Sequence, residues 1–340
     1  MVTIIIPTAN RPTMLRAALR SVSAQTARGA IGLVMVSENG GRRESGQVCA
    51  EFPELPIRYV FREQSVTPVE HARILLSDSH QAKYTAILHD DDWWAPHHLE
   101  LALKELEGRS HAAAYYASIF EVTGEASILR CDHNLFFWFG AGYPPLTSAW
   151  ELSRSQVVLA CLLMTPGRYS ALVARTESLR NANVVHTLGN PFDTDRMLTL
   201  QLSKEGSVVY NPVPQVFIRA HELQDGSTFA SEMRDEHAAR TTEWIVQTAG
   251  ERPVDLARRF VKAVKSCPPG ARSLLDSYLR SPWCVPRMAP HPEMEPELGA
   301  LSPVVDAPRA YDRMKHVLKQ LIPPAVLSAK RMVVERALRS

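Results

Sequence analysis

The first hundred residues alternate in a way few folds can accommodate. Short β-branched or apolar runs recur at Val2–Ile6, Ile31–Val36, Ile57–Phe61 and Tyr84–Leu88. Stretches of helical character stand between and after them. Met14, Leu15, Ala18, Leu19 and Val22 repeat at helical spacing, and Pro68–Ser77 and Pro96–Leu106 also read as helices. Strands alternating with helices at this pace predict parallel βαβ units, an α/β fold with a mainly parallel sheet flanked by helices. In such sheets ligands collect beyond the carboxyl ends of the strands. Residues 7–12, 37–41 and 89–92 leave those ends, and all three loops carry polar side chains.

Past residue 110 the pattern loosens. Ala112–Glu121, Arg168–Arg175 and Ser207–Tyr210 read as strands, and Asp195–Lys204 as a helix. Asn134–Trp150, rich in aromatic residues, Gly and Pro, reads as a loop or lid. From Ser231 onward helices dominate, interrupted by a Pro-rich linker at 281–308. The expected division is therefore a first domain over 1–230 and a mainly helical region over 231–340. The net charge of +2 gives no reason to expect a nucleic-acid partner. The five cysteines are scattered without a CxxC pair, so neither a disulfide framework nor a zinc site is expected. A reduced, cytoplasmic setting fits that usage. Met1–Pro7 lacks the basic leader of a signal peptide, and no run approaches the roughly 18 apolar residues of a membrane span, so any membrane contact would be peripheral.

The segment with the most chemistry is Ala86–Pro96. Asp90, Asp91 and Asp92 stand in a row directly after a buried apolar run. Adjacent like charges repel, so the arrangement is unfavourable unless a cation offsets it. Carboxylates at a strand end suit a hard cation such as Mn²⁺ or Mg²⁺, which can clamp a diphosphate. The plainer alternative is a solvated turn that caps the helix beginning near Pro96. Trp93 and Trp94 weigh against it and suggest a pocket wall instead. A second cluster is Asp193-Thr194-Asp195 at the start of the helix read at 195–204. A carboxylate there either caps the helix or takes a proton from an attacking hydroxyl, and the two roles are compatible.

Leu88–Leu99 resembles the acidic motif of family-2 glycosyltransferases, with His89 where an Asp is common. Ile4–Thr8 with Arg11 and Pro12 resembles the family's opening strand and loop. Val34–Gly40 resembles its second strand, with Glu38 and Asn39 in place of the usual Asp pair, and Thr67–Arg73 resembles the segment ending in Ala-Arg. The likeness covers about residues 2–225. It implies a GT-A fold and an inverting, nucleotide-sugar-dependent transferase. Carried over residue by residue, it implies a donor site of Pro7, Thr8, Asn10, Arg11, Glu38, Asn39, Arg73, Asp90 and Asp91. It implies metal contacts from Asp92 and Asp90, with His221 of an Arg-x-His as a further ligand or phosphate contact. Placing the family's helix pattern on Leu198, Leu202 and Gly206 makes Asp195 the base, and a two-residue shift makes it Asp193.

Trp93 and Trp94 are expected on the acceptor side, whereas Phe136, Phe137, Trp138 and Tyr143 could stack on sugar or fill the core. Arg73 could meet the diphosphate or pair with Glu70. His97 and His98 read as the solvated start of a helix. Over 309–340 eight basic residues face two acids in two amphipathic stretches broken by Pro323-Pro324. That tail could rest on an anionic membrane, suiting a lipid-linked acceptor in surface-polysaccharide assembly, or could pack on the protein. Two other functions are weighed against transfer. A nucleotidyltransferase would show a Gly-rich loop after the first strand, and Pro7–Pro12 has no Gly. A non-catalytic sugar-binding protein would have no need of the acidic cluster or the candidate base.

Overall fold

Continuous burial along the first strand sets the plan of the molecule. In the computed structural model β1 (Val2–Thr8) turns Val2, Ile4 and Ile6 to one face and Ile5 to the other, and both faces are covered. The structure describes residues 1–78, 82–123, 128–132, 148–182, 194–220, 231–267, 275, 276, 279, 284 and 291–301. Asp193, His221, Phe136, Phe137, Trp138, Tyr143 and the tail at 309–340 lie outside the described residues. The proposed lid is described only at 148–150, and the 281–308 linker only at 284 and 291–301, where Glu295–Leu298 forms a helical turn.

Among the described residues, β2 (Ile31–Asn39), β3 (Ile57–Arg62), β4 (Tyr84–Ile87), β5 (Trp93–Trp94), β6 (Ala112–Thr123), β7 (Ile128–Asp132), β8 (Trp150–Leu152), β9 (Leu172–Arg175) and β10 (Ser207–Ala220) join β1 in one sheet. Its order is β3-β2-β1-β4-β9-β6-β10-β5, with β7 on β6 and β8 on β10. β1 pairs in parallel with β2 and β4, β2 with β3, and β6 with β10. β9 lies antiparallel between β4 and β6, so its first residue sits at the end where β4 finishes.

Pro12 opens α1 (Pro12–Ser23), where a missing N–H costs nothing. Together with α2 (Glu44–Ala50) and α4 (His98–Gly108), it covers the face that carries Ile4 and Ile6. On the other face, Leu75 of α3 (Pro68–Asp78) meets Ile5 and Met35. That face also receives α5 (Arg154–Leu163), α6 (Thr176–Ala182), α7 (Thr194–Glu205), α8 (Ser231–Ala249) and α9 (Pro253–Lys265) in one large apolar cluster. No helix among the described residues is long and apolar enough to cross a membrane.

Several elements depart from the sequence reading for physical reasons. The strand expected over Ser207–Tyr210 runs on to Ala220, because register shifts around Asn211, Pro214 and Val216 absorb the prolines. α5 shows little amphipathic signal because Val157–Leu163 are all buried. A reciprocal Ser153–Gln156 capping box fixes its start. Arg168–Arg175 divides into a 3-10 turn at Tyr169–Ala171 and the short β9. Trp93–Trp94, assigned to no element from the sequence, pairs with Phe217 and Val216 of β10.

Candidate active site

The loops leaving β1, β2 and β4 meet, as the topology requires. Asn10 takes a left-handed backbone (φ 54), which asparagine tolerates. It lies so near Gly41 (φ 96) that a Cβ there would fall 2.0 Å from Asn10 Oδ1. Only glycine fits that approach.

Beneath them lies the acidic turn after β4. Asp90, Asp91 and Asp92 are 3%, 7% and 3% exposed. Thr8 Oγ1 donates to Asp90 Oδ2 at 2.7 Å, and Arg11 Nη1 donates to Asp90 Oδ1 at 3.3 Å and to Asp91 Oδ2 at 3.0 Å. Asp92 is held from two other directions. Ser170 Oγ donates to Oδ2 at 2.5 Å and the Arg219 backbone N–H donates to Oδ1 at 3.1 Å. Arg11 thus pairs with two of the three carboxylates, and Asp92 is held by a hydroxyl and a backbone N–H. Burial, and then the charge of Asp91, push Asp92 up to about 7. Burial likewise raises Asp90, against the pull of Arg11. For His89, burial favours the neutral ring, but Asp91, Asp92, Asp195 and Asp90 outweigh it and raise the pKa.

His89, Asp91 and Asp92 each offer one ligand atom, and these atoms lie within 4.8 Å of one another. An imidazole with two carboxylates is a donor set that accepts Mn²⁺ and Mg²⁺, and excess negative charge is what such an ion would offset. The residues present thus fit a divalent cation. The geometry differs from the set expected from the sequence. Asp90 is engaged by Thr8 and Arg11, and His89, noted only as a departure from the family motif, stands with Asp91 and Asp92.

Asp195 opens the first turn of α7, and its charge is felt at His89, Tyr169 and Tyr116. The candidate base and the acidic turn therefore share one locality. Thr199 Oγ1 donates back to the Asp195 carbonyl at 2.8 Å and is hydrogen-bonded to the Tyr116 hydroxyl at 3.0 Å. The two tryptophans part company. Trp94 is 3% exposed, packs on His98 with ring centroids 4.9 Å apart, and donates its indole N–H to the Ser170 carbonyl at 2.6 Å. It is a core residue and not an acceptor wall, because pairing with β10 turns it inward. Trp93 is half-buried, stacked on Phe217 at 5.4 Å with the Arg219 guanidinium 5.1 Å from its ring. His97 is exposed beside Glu100, but His98 is fully buried, and burial pushes it down to about 3. The expected solvated start of that helix holds for His97 alone.

At the end of β2, Glu38 is 1% exposed and accepts a 2.5 Å hydrogen bond from the Tyr59 hydroxyl. Asn39 exchanges two bonds with the Val66 backbone, at 2.8 and 3.0 Å. Pro7 lies beside Ser37 in the β1–β2 ladder. Arg73 forms a fork with Glu70, with Nε to Oε2 at 2.7 Å, the surface pairing that competes with a diphosphate role. Sequence reasoning missed Ser170 and Tyr169. They stand about eighty positions from the turn they touch, and no spacing rule points to them.

The profile described as Glycosyl transferase family 2 matches residues 3–151. Glycosyltransferase GlyA of Streptococcus pneumoniae is 30% identical over 105 residues, which is 31% of this chain and 15% of that protein. The match thus spans a small part of that relative. The crystal structure of S. aureus TarS 1–349 in complex with UDP-GlcNAc superposes with a TM-score of 0.52 at 12% identity, over 89% of this chain and 90% of that one. At that identity the likeness speaks to the fold. Residues 3–151, with Thr8, Arg11 and the acidic turn inside them, match the family-2 glycosyltransferase domain, and the fold that carries them is GT-A.

Proposed function

We propose that the chain is a metal-assisted, inverting glycosyltransferase. It moves a sugar from a nucleotide-diphosphate donor to a hydroxyl of a glycan or lipid-linked saccharide. The observation that carries this reading is the convergence of His89, Asp91 and Asp92 at the end of β4, inside the family-2 segment. Mn²⁺ or Mg²⁺ bound there would supply the positive charge that a departing diphosphate needs. The fold neighbour TarS, crystallised with UDP-GlcNAc, supports the donor class.

The remaining roles fall to the chain's own groups. Thr8 and Arg11 brace Asp90 and Asp91. Pro7, Asn10, Glu38 and Asn39 line the nucleotide side. Asp195 takes the proton of the attacking hydroxyl as the new bond forms at the anomeric carbon and the bond to diphosphate breaks, which inverts that centre. The first turn of α7 favours its ionised form. Trp93 borders the acceptor side. A peripheral seat on an anionic membrane through 309–340, in polysaccharide assembly, belongs to the same proposal and rests on the tail's charge.

The test is hydrolysis of UDP-, GDP-, dTDP- and CMP-sugars with and without Mn²⁺, on the full chain and on Asp92→Ala. Stimulation by Mn²⁺ that the variant loses supports the reading. Turnover indifferent to chelation, or retained in Asp92→Ala, overturns it.

A further inference from the structure

We propose that Tyr169 and Ser170 are positioning residues that tie the candidate cation ligands to the helix bearing the candidate base. The inference rests on the metal-assisted reading above and extends it to residues outside the family segment, which ends at 151. Ser170 is 1% exposed and makes two bonds to the acidic turn and one to the strand after it. Its Oγ donates to Asp92 Oδ2 at 2.5 Å and accepts from the His89 backbone N–H at 3.0 Å. Its carbonyl accepts from the Trp94 indole at 2.6 Å. One side chain thus grips the turn at both ends, and the Trp94 bond holds the strand that follows. With Arg219 N–H on the other oxygen, both oxygens of Asp92 are engaged and the plane of its carboxylate is set. Groups that orient a ligand in this way set metal affinity nearly as much as the ligands do.

Tyr169 faces the opposite way. Its ring lies 5.7 Å from the His89 ring, and its hydroxyl hydrogen-bonds Thr194, the residue before Asp195 at the start of α7. Two consecutive residues therefore bridge β4 and α7, which the chain separates by a hundred positions. The 3-10 turn at 169–171 presents them on adjacent sides. Ser170 acts on the cation side of the site and Tyr169 on the base side.

The test is Mn²⁺ binding to the full chain by electron paramagnetic resonance, with hydrogen exchange of α7. Ser170→Ala should raise the Mn²⁺ dissociation constant about 10- to 100-fold. Ser170→Cys, nearly isosteric with a weak S–H donor, should lose an intermediate amount and stands in should the alanine variant not fold. Tyr169→Phe keeps the ring against His89 and should hold Mn²⁺ affinity within about twofold. It should let the amides of residues 196–200 exchange about threefold faster or more in the Mn²⁺-loaded protein. Wild-type affinity in both Ser170 variants, or unchanged exchange in Tyr169→Phe, overturns this proposal alone. Absence of Mn²⁺ binding by the wild-type chain overturns the metal-assisted reading and this proposal with it.

Discussion

Two strand ends on the same rim make opposite use of buried acids. At the end of β2, Glu38 is buried but receives the Tyr59 hydroxyl, and both polar atoms of the Asn39 amide are bonded to Val66. That end is closed by its own neighbours. At the end of β4, Arg11 pairs with Asp90 and Asp91, and burial together with the charge of Asp91 pushes Asp92 up to about 7. Burial is common to both ends; what sets the β4 end apart is the crowding of like charges.

The sharpest way to break this contrast is to delete one acid from each end. Asp92→Ala should reduce Mn²⁺-dependent donor turnover by about 10³-fold or more, whereas Glu38→Gln should change it less than about tenfold, measured side by side as nucleotide release. Equal losses would erase the distinction. Next in size is Asp195→Ala. It should slow transfer by about 10²- to 10⁴-fold while Mn²⁺ and donor affinities stay within about threefold. Loss of binding in step with rate would remove Asp195 from the base role.

A smaller effect separates the two ends by pH. His71, bonded to Ser37 of β2, is pushed by burial down to about 4, and His98, behind Trp94, to about 3. Both are neutral in the fold, so the unfolded chain takes up protons first, near its usual value of about 6.5. Their share of the stability is therefore complete above about pH 6.5 and is lost as pH drops from there toward 4, while Asp92, Asp90 and His89, whose pKa values are raised, act in the opposite sense. Each histidine accounts for about 2 kcal/mol by pH 5. Urea midpoints of the wild type and His71→Asn between pH 7.5 and 5 isolate this contribution: the variant should lose less on acidification, and equal losses in the two would refute it. Smaller again is Tyr59→Phe, which should cost about 1 kcal/mol of unfolding free energy through the lost bond to Glu38. It should leave Mn²⁺ affinity unchanged, and a shift in that affinity would join the two ends that are contrasted here.

The half of the fold that sequence reveals is the half built by uniform rules. β1, β2 and β4 are apolar runs covered on both faces and β3 is a short half-buried edge, and period and length suffice to find them. β10 past Tyr210 hides behind Pro212 and Pro214, which only the register shifts reconcile with a sheet. α5 hides because a helix buried all round has no polar stripe. The same division holds in the site. The acidic turn is legible because three adjacent carboxylates demand an explanation. His98 is not, since a polar residue at a helix start looks solvated until Trp94 and Tyr115 close over it. Ser170 is a serine like any other until β9 carries it beneath Asp92.

The reversed direction of β9 has a consequence for how such a pocket can vary. The acidic turn sits on chain departing from β4, whereas its anchors come in on chain approaching the sheet from the far side. The spacing of His89, Asp91 and Asp92 is set within one short turn, and the orientation of Asp92 by a hydroxyl delivered from elsewhere. Placement and aim of the carboxylate are thereby written in stretches of polypeptide that never follow one another.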